Sequence, residues 1–142
     1  MATSPVSQWI ALLMADLAVA FDTAEVLEGE RSGVSHDMDR IAVFDTGLEE
    51  MAGRVVVGQT RVHVRYWPAR SRLPGDETPA DPTVLTQAAH DLAAFLQAKQ
   101  ASYAATGVWF SRMLSCVTDR DPAEWGVEAI VLLQFDNPAV IA

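Results

Sequence analysis

The groups with which this chain could do covalent or metal chemistry are three histidines, one cysteine and nineteen carboxylates. His36 stands in a polar, glycine-containing segment with Asp37 and Asp39, the one place where a histidine and two carboxylates crowd together. Their spacing fits no zinc pattern and no twelve-residue calcium loop. His63 lies between Arg61 and Arg65 on one side of an alternating run. That is a row of like charge, with no carboxylate nearby in sequence to orient the imidazole as a base. His90 falls beside Asp91 on the polar side of a helical pattern, an ordinary solvated face. Cys116 sits within an apolar strand pattern, where a thiol is buried and inert. A lone cysteine also excludes an internal disulfide and a cysteine-based zinc site. Asp119, Asp121 and Glu124 share a turn that lacks the full calcium-loop pattern. The expectation is therefore no catalytic residues, no metal, no cofactor and no enzyme activity. One binding alternative survives: a sheet face on which Arg61, His63 and Arg65 hold an anion or a peptide.

The bulk composition narrows the partners. Nineteen acidic residues against ten basic ones give a formal charge of −9, which argues against a surface that grips DNA or RNA. Half of the 142 residues are apolar, enough for one core and one domain spanning 1–142. No basic leader with a cleavage site opens the chain, and no apolar run reaches membrane-spanning length. A soluble protein made inside the cell, with its cysteine reduced and no membrane partner, is the expectation.

The elements that must position these groups follow from periodicity. Ser4-Pro5 is a helix start, with Ser as cap and Pro in the first turn. Val6, Trp9, Ile10, Leu13, Leu17, Ala20, Phe21 and Ala24 continue at helical spacing, predicting a helix to about Leu27 that stops at Gly29. Residues 28–39 read as a connection, 40–45 as a short strand and 46–53 as a loop or a single helical turn. A long strand comes next, over 54–67. Val56, Thr60, Val62, Val64 and Tyr66 share one of its faces, and Gln59, Arg61, His63 and Arg65 the other. Residues 68–81 form a proline-rich, charged loop of the kind that is either simply mobile or orders on a partner. Asp81-Pro82 opens a second amphipathic helix that ends near Gln100.

Residues 107–135 read as a hairpin, and its second strand is the most apolar stretch in the chain. Val127, Ala129, Val131, Leu133 and Phe135 face one way; Ile130 and Leu132 face the other, between Glu128 and Gln134. Such a strand is central or is half-covered by another chain. In the first strand, Trp109, Ser111, Met113 and Ser115 alternate with Val108, Phe110, Arg112, Leu114 and Cys116. Trp125, in the intervening turn, is either an exposed interface anchor or folds back on the sheet. Residues 136–142 are a short tail. The predicted fold is α+β, an antiparallel sheet of two β-hairpins packed with two helices in the order α-β-β-α-β-β.

In length, order and texture, the opening helix, GRVVVGQTRVHVRYWP, DPTVLTQAAHDLAAFLQ and GVWFSRMLSCVTDRDPAEWGVEAIVLLQF together resemble the tail terminator (tail completion) proteins of long non-contractile-tailed bacteriophages. The resemblance covers most of the chain. It implies a structural virion protein at the head-proximal end of the tail, forming a homohexameric ring. Such a ring caps the tail tube protein, stops its polymerisation and meets a head-tail connector or neck protein. DNA would pass its lumen without specific binding, which suits acidic walls. A head-completion or neck stopper protein is the alternative within the same assembly. The chemistry of the side chains supplies the expected contacts: Arg61 and Arg65 pairing with Glu49 and Glu50 of a neighbour, with Trp67, Arg112, Trp125, Ile130 and Leu132 at the interface.

Overall fold

The structure, a computed structural model, describes residues 4–29, 39–50, 57–68, 82–99, 103, 107–119 and 125–136. Helix α1 spans Pro5–Ala20. The Ser7 N–H donates to Ser4 Oγ at 3.2 Å, and Pro5 takes the first-turn position that needs no donor. Val6, Trp9, Ile10, Leu13 and Leu17 are its buried stripe. The helix then stops a full turn and more before the predicted end. Phe21 leaves helical geometry at φ −115°, and its ring packs edge-on against Tyr66 and Phe95 at 5.3 and 5.8 Å. A ring wedged between the sheet and the other helix fixes where the chain must turn.

Beyond that turn the chain forms a strand, not more helix. Strand β1 (Ala24–Glu28) pairs in parallel with β2 (Asp39–Glu50), from Ala24 opposite Asp39 to Glu28 opposite Val43. Gly29 is indeed a stop, but of this strand: it adopts φ +110° and its N–H donates to Val43 O at 2.9 Å. Strand β2 also runs longer than expected, through the predicted loop as far as Glu50, with register shifts after Asp45 and Leu48. Strand β3 (Val57–Trp67), helix α2 (Pro82–Ala98), β4 (Val108–Asp119) and β5 (Gly126–Asp136) complete the order. The fold is α+β, with two helices and a curled mixed sheet. Two points correct the expected α-β-β-α-β-β order and all-antiparallel sheet: the extra strand β1, and its parallel pairing. The proline-rich loop 69–81 and the tail 137–142 lie outside the described residues.

The strand order is β1-β2-β3-β5-β4. Strand β5 thus lies inside the sheet, antiparallel to β3 on one side and to β4 on the other. Its core-facing side, Val127, Ala129, Val131, Leu133 and Phe135, is buried in the main cluster, while Ile130 and Leu132 lie half-buried on the other face. Val62, Val64 and Tyr66 of β3 meet Val131, Ala129 and Val127 of β5 on one face, and Ile41 and Val43 of β2 extend the same layer. This layer packs in one cluster with the α1 stripe and with Leu85, Ala88, Leu92 and Leu96 of α2. Thr60 is the one buried polar residue among the described side chains, and its hydroxyl donates to Asp45 Oδ1.

Strand β4 departs from simple alternation. Its register against β5 shifts between Val108 and Phe110 and again between Met113 and Ser115. At a bulge two residues oppose one, so Trp109 and Leu114 are the extra residues. Val108 therefore shares the core-side pairing with Ser111, Met113 and Cys116, instead of with Phe110, Arg112 and Leu114. Cys116 is half-buried; burial raises its thiol pKa, and Sγ lies 3.7 Å from Ala89 O.

The chain's two tyrosines give the core a titration signature. Tyr66 donates to Asp39 Oδ2 at 3.4 Å, and burial, then the Asp39 charge, pushes it up to about 12 from 10.0. Tyr103 donates to Asp16, and burial followed by that hydrogen bond raises it further. The hydrogen bond from Tyr103, with Lys99 at 3.2 Å, holds Asp16 below its ordinary value. Raised phenol values mean that the stability they contribute is complete below about pH 10 and is lost as pH climbs through the folded values. Tyrosinate absorbance is thus expected to stay low near pH 10 and to rise together with unfolding. In Tyr66→Phe the alkaline loss of stability should be shallower. A normal phenol titration in the folded protein would contradict the packing.

Candidate interaction surface

The sheet face opposite the helices carries most of the residues singled out by the sequence. It is built from Arg40, Ala42 and Phe44 of β2, which pair with Trp67, Arg65 and His63 of β3. Across β3 the pairing continues: Arg65 to Glu128, His63 to Ile130, Arg61 to Leu132 and Gln59 to Gln134 of β5. Arg112, Ser115 and Val117 of β4 stand opposite Leu132, Ile130 and Glu128.

Two zones differ in chemistry. Over β2, β3 and the start of β5 the face is a packed polar and aromatic cluster. His63 stacks on Phe44 at 5.0 Å, and the Arg65 guanidinium lies over the same ring at 5.0 Å. Arg65 Nε donates to Glu128 Oε2 at 2.5 Å, a charge-assisted hydrogen bond across neighbouring strands. Glu128 Oε1 also comes within 3.4 Å of His63 Nδ1, but this nitrogen is closed off from solvent and makes no hydrogen bond. The carboxylate beside His63 is therefore 65 positions away in sequence, where no local pattern could find it. Gln134 donates to Gln59 at 3.0 Å farther along.

Over β5 and β4 the face is mixed: Ile130 lies between His63 and Ser115, and Leu132 between Arg61 and Arg112. Ile130 and Leu132 are half-buried, and Leu114 and Val117 are 42% and 58% exposed. Trp109, in the other bulge, is 54% exposed. Single exposed apolar residues are ordinary; several on adjoining positions of two paired strands form a patch.

The expected contact residues divide accordingly. Ile130, Leu132 and Arg112 lie on this face, with Arg112 exposed. Arg61 is exposed on it too, and Thr46 donates to its backbone oxygen at 3.1 Å. Arg65 is already held by Glu128 of its own chain. Trp67 and Trp125 are 3% and 6% exposed, so both are packed within the subunit; Trp125 folds back into the core cluster. An indole that can reach its own core buries more apolar area there than in a turn. Glu49 and Glu50 belong to β2 instead of a loop, with Glu50 paired opposite Gln59, and their side chains lie outside the description. Trp109, Leu114 and Val117 were missed. Strict alternation hides bulge residues, and Val117 lies beyond the residues to which the alternation assigns a face.

Among the described residues no group of three or more His, Cys, Asp or Glu side chains could hold a metal ion. Of the discounted metal clusters, Asp39 accepts from Thr23 and Tyr66, while His36, Asp37, Asp121 and Glu124 lie outside the described residues. No helix is long and apolar enough to cross a membrane among the residues described. No protein-family model matches the chain, and no curated protein sequence matches it.

Proposed function

We propose that this protein is a structural, ring-forming subunit of the tail-terminator type. It caps the phage tail tube, stops its polymerisation and joins the tail to the neck. The observation that carries this reading is a surplus of apolar side chains on β5 and β4: Ile130 and Leu132 are half-buried on the face opposite the helices, and Val117 and the bulge residue Leu114 are exposed. Apolar surface of this kind is stabilised by contact with protein, at roughly 25 cal/mol per Å² removed from water. An antiparallel β2–β3 pair, then α2, then an antiparallel β4–β5 pair also suits the family's pattern of a helix between two β pairs. The charge of −9 suits a lumen that lets DNA slide without adhering.

The anion-site alternative is weakened by Glu128. Its carboxylate occupies the position between Arg65 and His63 that an incoming anion would need. A neck stopper remains the rival within the same assembly, since it too would form a ring. Native mass spectrometry of the purified protein, alone and with tail tube protein, is the deciding measurement. Hexamers that bind the end of tube polymers and arrest their growth are the expected result. A monomer in both conditions would refute the proposal, and rings that bind neck protein but leave tube growth unaffected would favour the stopper.

A further inference from the structure

The two ends of the strand order carry complementary surfaces, and the geometry points to a head-to-tail contact in which β4 of one copy enters a cleft beside β1 and β2 of the next. This inference rests on the ring reading and specifies how the ring is joined.

The first surface is a knob. Trp109 and Leu114 are pushed out by the two bulges of β4, and Arg112, between them in sequence, is exposed. Bulges in an end strand re-aim side chains and spoil the regular ladder that would let any strand add on. Contact through β4 is therefore expected to use side chains.

The second surface is a cleft of about 580 Å³. It lies where β1 ends at Glu28 while β2 runs on through Phe44, Asp45 and Thr46. Val6 and Ile10 of α1 and Phe44 of β2 give it apolar walls, and Glu28 and Asp45 give it acidic ones. Arg65 also reaches it, but Glu128 offsets that charge. The volume falls within the roughly 300–1,000 Å³ of sites that enclose drug-sized groups. An indole flanked by an arginine suits apolar walls set with carboxylates.

Charge selects the second copy's orientation. A two-fold contact of knob on knob would bring Arg112 toward its own mate, and cleft on cleft would oppose Glu28 and Asp45 to themselves. Only knob into cleft joins unlike charges. Such a contact is heterologous, and it makes a closed ring when the rotation between copies closes.

The test uses two full-length variants. Trp109→Ser/Arg112→Glu removes the knob; Ser7→Trp/Glu28→Arg fills the cleft mouth and reverses its charge. All four positions are exposed, and circular dichroism should show both variants folded. Each variant alone is expected to lose the ring and sediment as a monomer, with self-association weakened by about tenfold or more. Mixed in equal amounts, they should form a 1:1 dimer and nothing larger, because each supplies the one surface the other lacks. If the wild-type protein forms rings and both variants do as well, this contact is wrong and the ring reading stands. Variants that fall apart but do not pair on mixing would equally overturn the head-to-tail arrangement. A wild-type monomer at every concentration, with or without tube protein, would remove the ring reading itself and this contact with it.

Discussion

Leu133→Ala is expected to lower the free energy of unfolding by about 3–4 kcal/mol, read from the urea midpoint at unchanged slope. Leu133 is fully buried in β5, which is hydrogen-bonded to β3 and β4 on its two sides, with Leu133 opposite Thr60 and Ser111. A strand held on both sides moves little into a void, so the loss should lie above the low end, around the middle of the usual range of about 2–5 kcal/mol for Leu→Ala. Domains of this size have about 5–15 kcal/mol in total, so the variant will keep only part of its margin. The same substitution at exposed Leu12 of α1 should cost a few tenths at most. Similar losses at the two positions would mean that β5 is not the interior strand.

The second large effect concerns assembly. Ile130→Ser/Leu132→Ser should abolish self-association while leaving a folded subunit. Both side chains are half-buried on the face away from the helices. Burying such a side chain fully yields roughly 1.5–3 kcal/mol, so in the isolated subunit each contributes about half of that or less. The double variant should accordingly lose about 2 kcal/mol of folding stability, which a domain can tolerate. In a ring each subunit presents these residues once, and the loss recurs at every interface they help to form. Sedimentation velocity on a variant with wild-type circular dichroism would show monomers. Rings of undiminished stability would show that this zone faces solvent in the assembly.

Parts of this architecture were readable from the chain. Helical spacing located Leu13, Leu17, Leu85 and Leu92, and period-two spacing assigned Val62 and Val64 to the core and Arg61 to the other face. Those patterns are local and strong. The failures have equally local causes. Ala20, Phe21 and Ala24 extend the helical stripe by spacing alone, and nothing in them reports that Phe21 must wedge against Tyr66 and Phe95. A five-residue parallel strand such as β1 leaves little periodic signal. Two bulges in β4 invert the alternation twice, so faces assigned from one end of the strand are wrong between the two shifts and right again beyond the second. On the proposed surface, Arg112, Ile130 and Leu132 were legible as a charge and an apolar surplus. The Arg65–Glu128 pair was not, because it joins strands 63 positions apart. That pair offsets the charge of Arg65 in what reads from sequence as a row of like charge, and it weakens the anion-site reading.

The place of β5 between β3 and β4 has a consequence for how the chain acquires its structure. Synthesis is vectorial, and segments fold as they emerge. Strands β3 and β4 do not pair with each other in the finished sheet. Until residues 126–136 arrive, β3 has one unsatisfied edge and β4 has two, and only then can one insertion join the two halves. Closing that sheet requires distant pairings, which slows folding. During the interval the nascent protein presents these open strand edges, and a chaperone that shields them would raise its yield more than one acting on the helices.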